Sequence, residues 1–310
     1  MLELMKELGF IPESKAIKLA MRNGKVVGER YDKVTYLREV LPISAEGLEE
    51  EVYVESGRFL SLLPFIRNVQ RTNTYLLVVL VNGARYELPY LDLEFSAPQI
   101  PEEPRICIQG AIDFTVLKKT ALQNLVKPEM RCIYVDDKGA VTCNFLQGTV
   151  DTAIVTEEPI LLPPDLTAYM TPSQDAIIFT SGNIICFTDK EKVWVYSPKA
   201  DFEESEDPWY RTIYETAMAV KDEPFSPLPQ YIDESLKRLA NFGNEVVITS
   251  DRMTTGENYE PISCPSALGG EFTIEDVLSV IQNGKDIFFT ESAMFLRNGS
   301  TTIMVSTKEN

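Results

Sequence analysis

The side chains that could carry chemistry are few, and one type is missing altogether. The 310-residue chain contains no histidine. Without imidazole there is no Ser-His-Asp or Cys-His pair, no usual zinc or iron ligand set, and no side chain that ordinarily titrates near neutrality. Carboxylates remain, and Asp136-Asp137, Asp189 and Asp92 are the acids a metal-dependent hydrolase would have to use. Asp136-Asp137-Lys138-Gly139, however, has the composition of a hairpin turn, and no second acidic cluster completes a site. No P-loop, glycine-rich dinucleotide motif or zinc spacing occurs. The five cysteines, Cys107, Cys132, Cys143, Cys186 and Cys264, are scattered, with no C-x-x-C pair. An odd number of isolated thiols argues against a disulfide framework and against a metal centre, and predicts reduced, buried side chains. The expectation is a protein that is not an enzyme, with no catalytic residues, no cofactor and no metal.

Binding chemistry is the other possibility, and charge bears on it directly. The net charge is −18, with 29 Lys and Arg against 47 Asp and Glu. Spread evenly, that balance would oppose nucleic-acid binding, because phosphate contacts need cations. The composition, 44% hydrophobic and 25% charged, is that of a globular protein. No apolar run approaches the roughly 20 residues that span a bilayer. The start, MLELMKELGF, lacks the apolar stretch of a signal peptide. A cytoplasmic protein without membrane contact is expected.

The elements that must position any binding residues recur along the chain. A short helix followed by strands with tight turns appears about six times. In the first clear copy, Phe59, Leu62, Leu63, Ile66 and Val69 fall at helical spacing, with Pro64 as a possible kink, and Asn82-Gly83 then joins two strands. In the second, Asp113 caps a helix whose apolar face is Phe114, Leu117, Ala121, Leu122 and Leu125, ended by Pro128. The third places a short helix at 165–170 before a three-stranded meander. Helices over 231–242 and 273–281 head the fourth and fifth, and the fifth closes on Asn298-Gly299. A weaker copy begins with a helix at 2–8 and includes Asn23-Gly24. The stretches 96–104 and 198–208 are rich in proline and acid and read as linkers. They divide the chain into domains at 1–104, 105–207 and 208–310, each holding two copies. Two copies sharing a core give an α+β layer with helices on one side of antiparallel sheets.

The basic residues gather on those helices. Arg58, Arg67 and Arg71 fall on the first clear helix and its exit, Lys118, Lys119 and Lys127 on the second, Lys237 and Arg238 on the fourth. Acidic runs lie elsewhere, at 46–51, 102–103 and 203–207. Cations near helix C-termini also complement the helix dipole, which is the plainer explanation for any one of them. Repetition across three helices in a chain this acidic points to a shared surface. Without aromatic platforms or a recognition helix, it suits sequence-independent contact with phosphates.

In its ordered succession of segments the chain resembles the bacterial DNA polymerase III beta-subunit sliding clamps and their phage relatives. Ala84-Arg85-Tyr86-Glu87-Leu88-Pro89-Tyr90-Leu91-Asp92, then Phe95 and Pro101-Glu102-Glu103-Pro104, looks like the end of that family's first domain. Ile160-Leu161-Leu162-Pro163-Pro164-Asp165-Leu166 is similar to a helix entry in its middle domain. Asp207-Pro208-Trp209-Tyr210 resembles the junction before its last domain, Ser235-Leu236-Lys237-Arg238-Leu239 the helix that follows, and Thr301-Thr302-Ile303-Met304-Val305 its C-terminal strand. The resemblance implies a DNA-clamp fold of three similar domains and a head-to-tail ring, usually a dimer, around double-stranded DNA. It implies a processivity factor in DNA replication, with a DNA polymerase and a clamp loader as partners. It also implies a partner-peptide pocket, placed by position at Ile133, Leu146, Gly148, Val150, Ile303 and Met304. There the chain departs from the family, keeping only the glycine in Gln147-Gly148-Thr149-Val150-Asp151 and carrying Val305 where a proline is usual. Two other readings stand beside this one: a repeat-built scaffold with no DNA in a channel, and the carboxylate hydrolase discussed above.

Overall fold

Tight turns between short apolar runs generate most of this structure. The computed structural model describes residues 16–31, 34–92, 104–122, 128–144, 146–189, 193–200, 208–265 and 267–308. The helix expected at 2–8, most of both linkers and Lys127 lie outside them. By their internal contacts the residues form two compact units, Met1–Ile112 with Asp165–Ala200, and Asp113–Pro164 with Asp201–Asn310.

In the first unit Asn23-Gly24 turns β1 (Ala16–Arg22) back along β2 (Lys25–Tyr31). Both turn residues take positive φ, 50° and 74°, the conformation that a two-residue hairpin demands and that Asn and Gly tolerate. β3 (Tyr36–Leu41), β4 (Ser44–Glu46) and β5 (Val52–Glu55) follow. Next come α1 (Ser56–Leu62), β6 (Ile66–Arg71), β7 (Tyr75–Leu80), β8 (Arg85–Pro89) and β9 (Arg105–Ile112). The unit also takes in β14 (Ser173–Ser181), β15 (Ile184–Asp189) and β16 (Val193–Pro198). Its large sheet runs β5-β1-β2-β3-β16-β15-β14-β9, and its small sheet β4-β6-β7-β8, in which β4 and β6 are parallel. Phe59 and Leu60 of α1 pack with Ile17, Leu19, Val26 and Leu41 of the large sheet and Val69, Leu76 and Val78 of the small one. Burial of Phe59 alone stabilises by about 1.5–3 kcal/mol.

The first clear helix is shorter than its apolar spacing predicts. It stops at Leu62, and Leu63–Phe65 form one tight turn around Pro64, which has no N–H to continue the ladder. Ile66 and Val69 are both buried, yet they lie on a strand. A register shift between Ile66 and Asn68 puts residues three apart on one face and so imitates helical period. Arg67 and Arg71 therefore stand on β6 and not on a helix, which corrects the reading from spacing.

The second unit contains α2 (Thr115–Leu122), β10 (Ile133–Val135), β11 (Ala140–Cys143), β12 (Gln147–Asp151) and β13 (Ile160–Leu162). At the boundary where the chain passes back to the first unit, one helical turn, α3 (Pro164–Thr167), stands where a longer helix was expected. After it come α4 (Trp209–Ala219), β17 (Ser226–Pro227), α5 (Ile232–Leu239), β18 (Glu245–Thr249), β19 (Arg252–Thr255), β20 (Asn258–Pro261) and β21 (Leu268–Thr273). The last elements are α6 (Ile274–Ile281), β22 (Asp286–Phe289), β23 (Ala293–Asn298) and β24 (Thr301–Ser306). The sheets run β13-β10-β11-β12-β24-β23-β22-β17 and β20-β19-β18-β21. As expected, Asp113 starts α2, its Oδ1 accepting the Thr115 N–H at 2.9 Å.

The large sheet of this unit buries both faces. Leu236 of α5 and Val277 and Ile281 of α6 pack with Leu296 and Ile303 on one side. On the other, Ile213 and Ala217 of α4 pack with Val141, Val150, Phe295 and Met304. Adjacent Ile303 and Met304 thus serve opposite cores, as strand alternation requires. Helices were expected on one side only; α4 covers the second.

Candidate nucleic-acid interface

The predicted phosphate contacts differ sharply in how available they are. Arg58 is 71% exposed and its Nε meets Oε2 of Glu55, the residue that leads from β5 into α1, at 2.8 Å. Arg67 is exposed on β6 and makes no ion pair with the described residues. Arg71 is paired with Glu50. In the second unit, Lys119 is exposed without an ion pair among the described residues, whereas its neighbour Lys118 is only 9% exposed. The helical step puts Lys118 beside buried Leu117 and Ala121, so burial pushes its pKa below the ordinary lysine value, against the pull of Asp113.

On α5 the charges follow the helix dipole, Asp233 and Glu234 in the first turn and Lys237 and Arg238 in the last. Lys237 Nζ lies 3.3 Å from Asp233 Oδ2. Arg238 grips Glu260 with two nitrogens, Nε to Oε1 at 2.8 Å and Nη2 to Oε2 at 2.9 Å, and Nη2 also donates to Ser235 Oγ. The guanidinium holds the Glu260 carboxyl below its usual range. Arg58, Arg71, Lys237 and Arg238 thus each hold a carboxylate already, and Arg67 and Lys119 hold none among the described residues. Exposed aromatics accompany them, Phe65 after α1 and Tyr231 and Phe242 at the two ends of α5, a feature that sequence reasoning passed over.

The residues placed in a partner-peptide pocket are mostly packed. Ile133 and Val150 are fully buried, Ile303 is 1% exposed and Met304 5%, while Leu146 is 40% exposed. Gly148 explains the closeness: a Cβ there would stand 2.5 Å from Met304 Cε and 2.9 Å from Ile213 Cγ2. α4 lies over this ground. Tyr210 stacks on Tyr134 with ring centroids 3.6 Å apart, and burial together with Asp136 and Tyr210 drives the Tyr134 phenol pKa upward. Beside the stack, Asp136, Lys138, Tyr214 and Glu215 bound a cleft of about 170 Å³. The sequence reading treated Trp209-Tyr210 as a junction and missed the helix, although Tyr210, Ile213, Tyr214 and Ala217 stand at helical spacing behind Pro208.

Among the described residues no three Cys, Asp or Glu side chains gather to hold a metal ion, and no helix is long and apolar enough to cross a membrane. The five cysteines are free; Cys107 is half-buried and the other four are buried.

No family model matches this chain, and no curated protein does. Solved structures do. The Helicobacter pylori beta clamp, in its structure bound to a DNA ligase peptide, aligns with a TM-score of 0.64 at 14% identity, covering 99% of this chain and 98% of that one. The DNA polymerase sliding clamp from Bacillus subtilis aligns with a TM-score of 0.64 at 12% identity, over 100% and 97%. The DNA polymerase III beta chain from Streptococcus pneumoniae gives 0.62 at 10% identity, over 100% and 98%. The chain has the fold of the bacterial sliding clamps. A clamp fold of α+β type is what the ordered segments of the sequence implied, and here it is reached with little shared sequence. The clamp-fold match is therefore one of architecture, and the roles of particular side chains have to be argued from their own surroundings.

Proposed function

We propose that this chain is a DNA sliding clamp, a processivity factor that encircles duplex DNA and tethers a replicative polymerase. The observation that carries the reading is the extent of the match, nearly the whole of this chain on nearly the whole of several bacterial clamps. The role is mechanical and not enzymatic, and the setting is the cytoplasm. The chain is read as three domains, 1–104, 105–207 and 208–310. Arg67 and Lys119 are the leading phosphate contacts, and Lys127 is kept among them on its sequence position alone. Arg58, Arg71, Lys237 and Arg238 join only by leaving Glu55, Glu50, Asp233 and Glu260 respectively. Lys118, being buried, positions α2.

Ring closure needs two complementary edges. Among the described residues β8 pairs only with β7, and β20 only with β19. Each carries an exposed tyrosine, Tyr86 and Tyr259 respectively. Unpaired edges invite strand addition, and joining β8 of one copy to β20 of the next is a head-to-tail contact that closes only at a fixed rotation. A dimer is the expected ring, opened by a clamp loader. A polymerase peptide would reach the ground around Gly148 and Met304 by displacing or flanking α4.

The test is solution mass by light scattering, followed by retention on nicked circular and linearised DNA. A dimer that stays on circles and runs off linear ends at moderate salt supports the reading. Equal retention on both forms, or no retention on circles after loading, refutes it.

A further inference from the structure

On the face of the first unit's large sheet that points away from α1, strands β2, β3 and β16 frame a cleft of about 340 Å³. Alternation decides its lining. Val26 and Leu41 belong to the core under α1, so their sequence neighbours Val27 and Val40 face the other way. These two are cross-strand partners, and with Trp194 they give the cleft an apolar floor. Arg22, Asn23, Lys25 and Arg38 make its rim.

The charged groups of the rim are all cationic. Arg22 is engaged, its Nη2 lying 2.7 Å from Glu29 Oε1. Lys25 is exposed, and neither it nor Arg38 makes an ion pair with the described residues. The Arg38 guanidinium instead lies over the ring of its cross-strand partner Trp194, 5.2 Å from the centroid. The indole N–H of Trp194 is shielded and has no acceptor among the described residues. Lys18 and Arg22 share Glu29 and Glu51, so the carboxylate of Glu29, the cross-strand partner of Arg38, is already held by two other cations, and Lys25 and Arg38 have no ion pair of their own among the described residues.

We propose that this cleft binds an acidic peptide segment of a partner protein, two of its carboxylates on Lys25 and Arg38 and an apolar side chain between them on Val27, Val40 and Trp194. An alternating acidic and apolar segment matches both rim and floor. A nucleic-acid strand matches less well, because its unbroken line of phosphates would also meet the acidic stretch Glu49-Glu50-Glu51 that leads into β5, the strand beside β1. The proposal is independent of the clamp reading.

The probe is a fluorescein-labelled five-residue peptide alternating Asp with Leu and Phe, followed by anisotropy on the full chain at low salt. Saturable binding is expected, weakened about fivefold by Lys25→Gln and again by Arg38→Gln, the scale of one partly screened charge contact. The intrinsic fluorescence change on binding should vanish in Trp194→Phe. Lys25 sits beside an exposed turn, so its replacement leaves the fold intact even if that of Arg38 does not. Equal binding of the same peptide with Asn for Asp would show a merely apolar groove and overturn the proposal. So would displacement of the peptide by inorganic phosphate or a single-stranded oligonucleotide at equal concentration, or affinity indifferent to Lys25→Gln.

Discussion

Gly148 is where a single methyl group should report on how firmly α4 is seated. In Gly148→Ala the new Cβ would lie 2.5 Å from Met304 Cε and 2.9 Å from Ile213 Cγ2, both well inside the roughly 3.5–4.0 Å of carbon atoms in contact. Met304 can bend away, since its thioether is flexible. Ile213 is branched at Cβ and stiff at χ1, so relief on that side has to move α4 as a body. Overpacking of this kind costs about 1–3 kcal/mol. Ile213→Ala alone should cost about 1–2 kcal/mol, less than for a fully buried isoleucine because the side chain is half-buried. It also removes the atom that the alanine methyl strikes, so the double variant should be more stable than the sum of the singles by about 1 kcal/mol. The assay is hydrogen exchange of the amides in 209–219 and in β12 for all four proteins, with melting temperature as a second readout. Additivity within about 0.3 kcal/mol, or unchanged exchange of α4 in Gly148→Ala, would refute the argument that Ile213 clamps α4 onto Gly148.

The other expectations concern charge. The lowered pKa of Lys118 means that the folded chain holds fewer protons than the unfolded one between that value and the ordinary 10.5. Stability should therefore rise with pH through this window. Lys118→Met should abolish the rise, stabilise at neutral pH by on the order of 1 kcal/mol, and leave DNA retention unchanged. Lys119→Glu and Arg67→Glu should each weaken DNA binding and flatten the plot of log affinity against log salt by about 0.9, whereas unchanged slopes would remove both from the interface. Glu260→Gln should barely move the melting temperature, since an exposed ion pair is worth about 1 kcal/mol or less. It should nevertheless strengthen DNA binding at low salt by releasing Arg238, and Arg238→Gln should cancel that gain.

The parts of the fold legible in the sequence were those set by local rules. Asn23-Gly24, Asn82-Gly83 and Asn298-Gly299 marked hairpins because few residues tolerate positive φ. Asp113 marked the start of α2 by its capping oxygen. What escaped was decided at a distance. The shift in β6 made Ile66 and Val69 look helical, and only pairing with β7 reveals a strand. α4 was legible by its period, but the Pro208-Trp209-Tyr210 junction motif drew the reading away from it. At the candidate interface, composition located the cations but not their partners. That Glu260, 22 residues beyond Arg238, holds it, and that Lys118 turns inward while Lys119 turns out, depends on packing that linear charge patterns do not encode.

The two large sheets carry a consequence for the order in which the chain can be built. β3 finds its partner β16 about 150 residues later, and β12 meets β24 at a similar remove. During synthesis at roughly 5–20 residues per second, the open edge of β3 waits on the order of ten seconds or more before the strand that seals it leaves the ribosome. The early and the middle stretches of the polypeptide are each born with a raw flank that only a later stretch can close. The seams that unite the finished protein are thus its most vulnerable lines while it is being made.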